Sequence, residues 1–238
     1  MSNKPKSKKT KLNKSNNTAK DLQKIIPMNN EQRLFIDLIK TKNIIICDAI
    51  HGTGKSFLSL VESLKLIHGD TPYDKLLYVR SYVPSIGCDE DLGSLPGDMN
   101  EKIGAFFLPI LDNLEGLVSR ERIAQYCTDE VIQVTTPSFL RGRSLNNTIV
   151  VFDEAQNANL ALFKLVISRL TDTAKLIIIG SSDQIDLKRP ERSFLRRALD
   201  RLSSNEYCGC CVLTDVVRSS YTQWVLEDLV GDDPYETM

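Results

Sequence analysis

Lys55 and Ser56 close the run Ile44-Ile-Ile-Cys-Asp-Ala-Ile-His-Gly-Thr-Gly-Lys-Ser56, in which four apolar residues lead into a glycine-bearing turn. Glycines let a backbone approach a polyphosphate so that successive N–H groups converge on its oxygens. A helix starting there would add the positive end of its dipole. The segment Ala49, Ile50, His51, Gly52, Thr53, Gly54, Lys55 and Ser56 is therefore a candidate phosphate loop. Lys55 would reach the β- and γ-phosphates of ATP, and the Ser56 hydroxyl would face Mg²⁺. The motif G-x-x-x-x-G-K-[ST] begins here with Ala49 in place of glycine. If that position needs φ > 0, alanine costs about 1–2 kcal/mol. His51 is a variable position that lines the turn.

A second pair of functional groups closes an apolar run in Thr148-Ile-Val-Val-Phe-Asp-Glu-Ala-Gln-Asn157. Adjacent carboxylates at a strand end point in different directions and can take different roles. Asp153 would hold Mg²⁺, and Glu154 would polarise an attacking water. Gln184 follows the apolar run Leu176–Ile179 and could orient that water or sense the γ-phosphate, although a polar turn residue would look the same. Gln32, within Asn29-Asn-Glu-Gln-Arg33, could read an adenine edge through its amide; Asn-x-x-Gln also matches an ordinary helix cap. Arg218 comes after the last apolar run as a candidate arginine finger, with a surface pairing to Asp215 as the alternative. Arg80, Arg141 and Arg143 are candidate contacts for nucleic-acid phosphates.

These groups need a scaffold that brings strand ends together. Apolar runs at Ile44–Cys47, Leu76–Val79, Val131–Val134, Thr148–Phe152, Lys175–Ile179 and Cys211–Leu213 read as strands. Helical spacing appears over Glu31–Lys40, Lys55–Ile67, Asn100–Leu114, Leu160–Leu170 and Ser193–Leu202. Their alternation predicts an α/β domain with a mostly parallel sheet and helices on both faces. On such sheets ligands sit beyond the carboxyl ends of the strands, where the loop at Ala49 falls. Ser81–Asp98, with five Gly or Pro residues, reads as a long functional loop.

Composition narrows the classes. At 238 residues the chain suits one domain, and no stretch approaches the roughly 20 apolar residues of a membrane span. The start of the chain lacks a signal-peptide pattern, so a cytoplasmic location with six reduced cysteines is expected. Cys208, Cys210 and Cys211 cluster without a second ligand pair and read as strand residues rather than a metal site. The net charge of −1 conceals seven lysines and no acid in residues 1–20. That composition predicts a disordered Lys-rich tail over 1–24 ahead of one domain over 25–238, acting as a nucleic-acid tether or as a solubilising extension.

Taken together, Gly52-Thr-Gly-Lys-Ser56, Leu95-Pro-Gly-Asp98, Arg141-Gly-Arg-Ser-Leu145, Asp153-Glu-Ala-Gln-Asn157, Gln184-Ile-Asp186 and Asp215-Val-Val-Arg218 make the chain resemble PhoH-like proteins. These are related to the single RecA-like core of superfamily 1 helicases. The resemblance implies a RecA-like P-loop NTPase domain, ATP binding with Mg²⁺, hydrolysis, and a link to RNA or DNA, single-stranded by expectation. One such lobe covers only one side of ATP. Motor activity would need a homo-oligomer, such as a ring, with Arg218 supplied by the neighbour. Relatives commonly carry Gly-Asp-x-x-Gln where this chain has Gly180-Ser-Ser-Asp-Gln184, so an acid is lost at Ser181, with Asp183 as the candidate for a shifted replacement. The other reading is a nucleotide-dependent binding or scaffold protein in which slow hydrolysis acts as a timer.

Overall fold

The computed structural model describes residues 22–81, 108, 110–115 and 117–219. The Lys-rich segment over 1–20, the Leu95-Pro-Gly-Asp98 motif, most of the loop after Ser81, much of the helix expected over Asn100–Leu114 and residues 220–238 lie outside these. Six strands form one sheet: β1 (Ile44–Ala49), β2 (Lys75–Arg80), β3 (Ile132–Thr135), β4 (Thr148–Asp153), β5 (Lys175–Gly180) and β6 (Cys208–Leu213). Their order is β3-β2-β4-β5-β1-β6, and every neighbouring pair is parallel.

The apolar runs are continuous because both faces of the sheet are covered. Side chains alternate along a strand, so each run serves two cores at once. Ile45, Cys47, Ile149, Val151, Ile177 and Ile179 pack on one face, against α1 (Asn30–Thr41), α2 (Lys55–His68) and α3 (Arg120–Thr128) through Phe35, Ile39, Leu60, Leu64 and Tyr126. Ile46, Val150, Phe152, Leu176 and Ile178 pack on the other, against α4 (Leu160–Ile167) and α5 (Leu195–Leu202) through Phe163 and Leu195. Burying one such aliphatic side chain contributes about 1.5–3 kcal/mol. Phe152, Phe163 and Phe194 continue the second core as edge-to-face pairs with centroids 5.8 and 5.3 Å apart.

All six expected strands are present, and β6 starts earlier than expected, at Cys208. Its small residues have a packing reason. A Cβ on Gly209 would lie 2.7 Å from Leu38 Cδ2, so a larger residue there would push α1 off the sheet. Helix α3 was not expected from the sequence. It buries only Ile123 and Tyr126, too thin an apolar stripe to stand out, and its clearest sequence signal is the Ser119 cap accepting from the Arg122 N–H. Leu22, within the segment assigned to the tail, is fully buried, so the core extends at least that far toward the N-terminus. No helix among the described residues is long and apolar enough to cross a membrane.

Candidate functional site

The turn between β1 and α2 carries the candidate phosphate loop at the carboxyl end of the sheet. Left-handed backbone occurs at Gly52 (φ 75°) and at Gly54 (φ 85°), the residue that caps α2. Ala49 ends β1 in extended conformation and is not among the positive-φ residues, so the alanine there carries no such strain. Thr53 Oγ1 donates to the Ile50 carbonyl at 3.0 Å, closing the turn, and Lys55 Nζ lies 3.5 Å from the same oxygen. His51 is exposed.

Gln32 braces this loop from α1. It is 3% exposed; its Nε2 donates to the Thr53 carbonyl at 2.9 Å and its Oε1 accepts from the Met28 N–H at 2.8 Å. Both ends of the amide therefore hold protein. One N–H and one lone pair remain for a base. The Asn29 side chain caps the same helix by accepting from the Gln32 N–H, as the helix-cap reading of Asn-x-x-Gln expects.

β5 separates β1 from β4, and α2 reaches back across it. Ser56 Oγ stands 3.4 Å from Asp153 Oδ2. Asp153 is 4% exposed, and burial pushes its carboxyl above the usual range, while the Tyr78 hydroxyl and the Glu154 N–H that donate to it pull the other way. Tyr78, itself fully buried on β2, is held protonated by burial and by the neighbouring Asp153 charge. Glu154 lies at φ 54°, a backbone conformation rare outside glycine and concentrated at functional sites. Arg80 Nη2 approaches its Oε1 at 3.3 Å, and Gln156 Nε2 donates to its Oε2 at 2.7 Å. Arg80 is thus turned onto the carboxylate, and Arg143 donates to Gln133.

Gln156 also explains Gly180. Its Oε1 accepts from the Ser181 N–H at 3.1 Å and would lie 2.6 Å from a Cβ on Gly180, so any side chain there would displace it. Ser181 is 2% exposed and joins this network through its backbone. The neighbouring Ser182 donates through both N–H and Oγ to Asp48, at 2.8 and 2.5 Å. An acid of β1 thus holds this loop at Ser182. Gln184 is half-buried; its backbone N–H donates to the Ser181 carbonyl at 3.1 Å, while its side-chain amide bonds to none of the described residues. Asn157 and Asp186 exchange two hydrogen bonds, at 3.0 and 2.8 Å, tying the loop after β4 to the loop after β5.

The segment after β6 returns to the phosphate loop. The N–H groups of Val217 and Arg218 donate to the Gly52 carbonyl at 2.9 and 3.1 Å, which sets Arg218 beside the loop of its own chain. Its side chain is exposed and makes no ion pair with Asp215. Glu31 anchors this segment from α1, accepting from the N–H groups of Thr214 and Asp215 and from the Thr214 hydroxyl; these bonds, that from Asp215 foremost, hold its carboxyl below the usual range. Between them lies a cavity of about 680 Å³ lined by Met28, Asn29 and residues 214–219.

The structure thus gathers the loop, Gln32, Asp153, Glu154, the Gln184 loop and Arg218 at one edge of the sheet. Sequence reasoning missed Tyr78, Asp48, Glu31 and the bridging role of Gln156. Their partners are distant in sequence, and only the placement of Asp48 and Gln156 inside the two motifs offered a signal. Cys208, Cys210 and Cys211 lie in β6, and the described residues hold no cluster of three or more His, Cys, Asp or Glu suited to a metal.

The family model for PhoH-like proteins matches residues 24–229. A PhoH-like protein of Synechocystis is 34% identical over 198 residues, covering 82% of this chain and 59% of the relative. Protein PhoH of Escherichia coli K12 is 33% identical over 214 residues, covering 87% and 59%. The chain thus spans about 59% of the length of these curated relatives. Among solved structures, the large terminase of a thermophilic bacteriophage superposes with a TM-score of 0.52 at 14% identity, over 85% of this chain and 50% of that one. At that identity the likeness is one of fold. The loop at the end of β1, the two carboxylates at the end of β4 and the match along nearly all described residues have one reading: this chain belongs to the PhoH-like protein family, and its domain has a RecA-like α/β fold.

Proposed function

We propose that this chain binds ATP with Mg²⁺, hydrolyses it, and uses the cycle to change its hold on RNA or DNA. The observation that carries the reading is the 3.4 Å approach of Ser56 Oγ to Asp153 Oδ2, with Glu154 next in the chain. A hydroxyl and a carboxylate are hard oxygen donors, and Mg²⁺ at nucleotide sites takes one or two protein ligands beside phosphates and waters. These residues fit the ion, which when bound neutralises charge on the β- and γ-phosphates. Lys55 and the loop N–H groups hold the phosphates, Glu154 accepts a proton from the attacking water, and Gln184 orients that water. The cavity of about 680 Å³ beside the loop is of a size suited to a base and ribose. The bacteriophage terminase of similar fold has been solved with ADP, which supports nucleotide binding by this fold.

The timer reading has its own support. Both Glu154 oxygens are already engaged, one by Arg80 Nη2 and the other by Gln156 Nε2, so the carboxylate must release a partner before it can take a proton from water. Phosphate release, measured with and without single-stranded RNA or DNA 20-mers, separates the two: strong stimulation identifies a coupled ATPase, and slow, unstimulated turnover identifies a timer. Glu154→Gln is expected to keep ATP binding and lose about 10²-fold or more in turnover. Lys55→Ala is expected to lose productive binding. Full hydrolysis by the Glu154→Gln protein would overturn the role given to that carboxylate.

A further inference from the structure

Residues 188–201 carry six basic against two acidic residues in a chain of net charge −1. Five of the six are arginines: Arg189 and Arg192 ahead of α5, and Arg196, Arg197 and Arg201 on it. All five are exposed, and none makes an ion pair or a side-chain hydrogen bond. Arg80, Arg120 and Arg143, by contrast, bond to Glu154, Glu115 and Gln133. Arg33, Arg141 and Arg218 are also unpaired but stand singly. At 100° per residue, Arg196, Arg197 and Arg201 share one solvent arc with Asp200, while Leu195 and Ala198 face the core.

Three observations select the partner. An unpaired guanidinium presents a planar fork that binds phosphate through two N–H groups, which a lysine cannot do. The apolar side of α5 is spent on the core, and no large exposed apolar residue lies in 188–201, so the surface has neither the apolar face that inserts into a lipid boundary nor the apolar centre of a protein interface. What remains is recognition by charge and hydrogen bonding, as phosphodiester backbones require.

The same segment is fastened to the nucleotide site. Asp186, two residues before it, exchanges two hydrogen bonds with Asn157. The Phe194 N–H, at the start of α5, donates to the Ala158 carbonyl at 3.0 Å. Asn157 ends, and Ala158 follows, the turn that begins at Glu154 and holds Gln156, and Leu195 packs against Gly180, where a Cβ would come within 2.8 Å of it. A shift of the loops after β4 or β5 therefore moves α5.

We propose that the arginine face formed by Arg189, Arg192 and α5 is the track for the phosphodiester backbone of a single-stranded nucleic acid, mechanically tied to the nucleotide site through Asn157–Asp186 and Ala158–Phe194. It rests on the ATPase and nucleic-acid reading above and gives that reading its contact surface.

The test uses the full chain and the variant R196Q/R197Q/R201Q, with fluorescent oligo-U and oligo-dT 20-mers titrated at several salt concentrations. Loss of three phosphate contacts to a single strand should reduce the slope of log K against log salt by about 2 and weaken binding by about tenfold or more near 0.1 M salt. Basal ATP turnover and the melting temperature should be unchanged, because these side chains touch neither core nor phosphate loop. The charge-preserving R196K/R197K/R201K should keep most of the slope while losing part of the affinity. If the native chain binds the oligonucleotides and the glutamine variant matches it in affinity and slope, this inference falls while the broader function stands. If the native chain binds neither oligonucleotide, with or without ATP, both fall. Tighter binding of poly-glutamate or of anionic vesicles than of either oligonucleotide would overturn the choice of nucleic acid as the partner.

Discussion

Asp153 and Lys175 sit on neighbouring strands at opposite ends of the sheet, one closing β4 and the other opening β5, and are buried to nearly the same degree at 4% and 3% exposure. Their surroundings differ. Asp153 collects a hydroxyl from Tyr78, a backbone N–H from Glu154 and the approach of Ser56, three donors from three elements. Lys175 donates to one backbone carbonyl, that of Lys42, and lies 6.0 Å from the Tyr73 ring, and burial lowers its pKa to about 8. Burying a charge is expensive unless it is paired and hydrogen-bonded. At the carboxyl edge three donors converge on a buried carboxylate; at the amino edge a single bond closes a helix-to-strand connection. Variants at the two edges should therefore separate activity from stability.

The largest effect is expected at Arg218. Its N–H is bonded to the Gly52 carbonyl of the same chain, a placement that favours action in cis over action from a neighbouring subunit. Arg218→Ala should lower turnover by about 10³-fold, the lower end of what an arginine finger contributes, with nucleotide binding retained. Mixing Arg218→Ala with Lys55→Ala protein decides between cis and trans. No recovery at any ratio is expected for action in cis, whereas partial recovery in mixed oligomers would assign Arg218 to its neighbour's site.

Tyr78→Phe should come next. It removes the buried hydroxyl that donates to Asp153 and leaves the ring packing in place. Partners that orient a metal-binding group typically contribute 10–100-fold in metal affinity or activity. The half-saturating Mg²⁺ concentration for turnover should rise by about that factor. An unchanged Mg²⁺ titration would reduce Tyr78 to a core residue.

The fold was almost wholly legible in the sequence because buried parallel strands announce themselves: Ile44–Cys47 and Leu176–Ile179 must be apolar on both faces. Likewise, Lys55, Ser56, Asp153 and Glu154 were legible because a phosphate loop and a strand-end carboxylate pair each sit within a short stretch of chain. The second tier was not. Tyr78 reads as one more strand aromatic until the register sets β2 beside β4, and Arg80 reads as a surface cation until it meets Glu154. The Asp48–Ser182 bonds span 134 residues, so the local pattern Gly180-Ser-Ser-Asp-Gln184 gave no sign of them. Contacts that link distant segments depend on register and crossover, which local pattern does not encode.

The smallest effect, and one confined to stability, belongs to the amino edge. Lys175→Met removes a buried cation far from the phosphate loop, so ATP turnover should not change. The sign of its pH dependence is fixed by linkage. A lysine titrates near 10.4 in an unfolded chain, and Lys175 titrates at about 8 in the folded one. Between these values the unfolded state binds more protons, so the native protein should gain stability relative to Lys175→Met as pH rises from 8 to 10, by at most about 1.4 kcal/mol per pH unit. Below pH 8 both states of the native protein carry the proton, and the difference between the two proteins should be flat. Urea unfolding of both at pH 7, 8, 9 and 10 measures this directly, and taking the difference cancels titrations the two proteins share. A flat difference across the whole range would mean that Lys175 keeps an ordinary pKa and that burial at this edge is relieved by water.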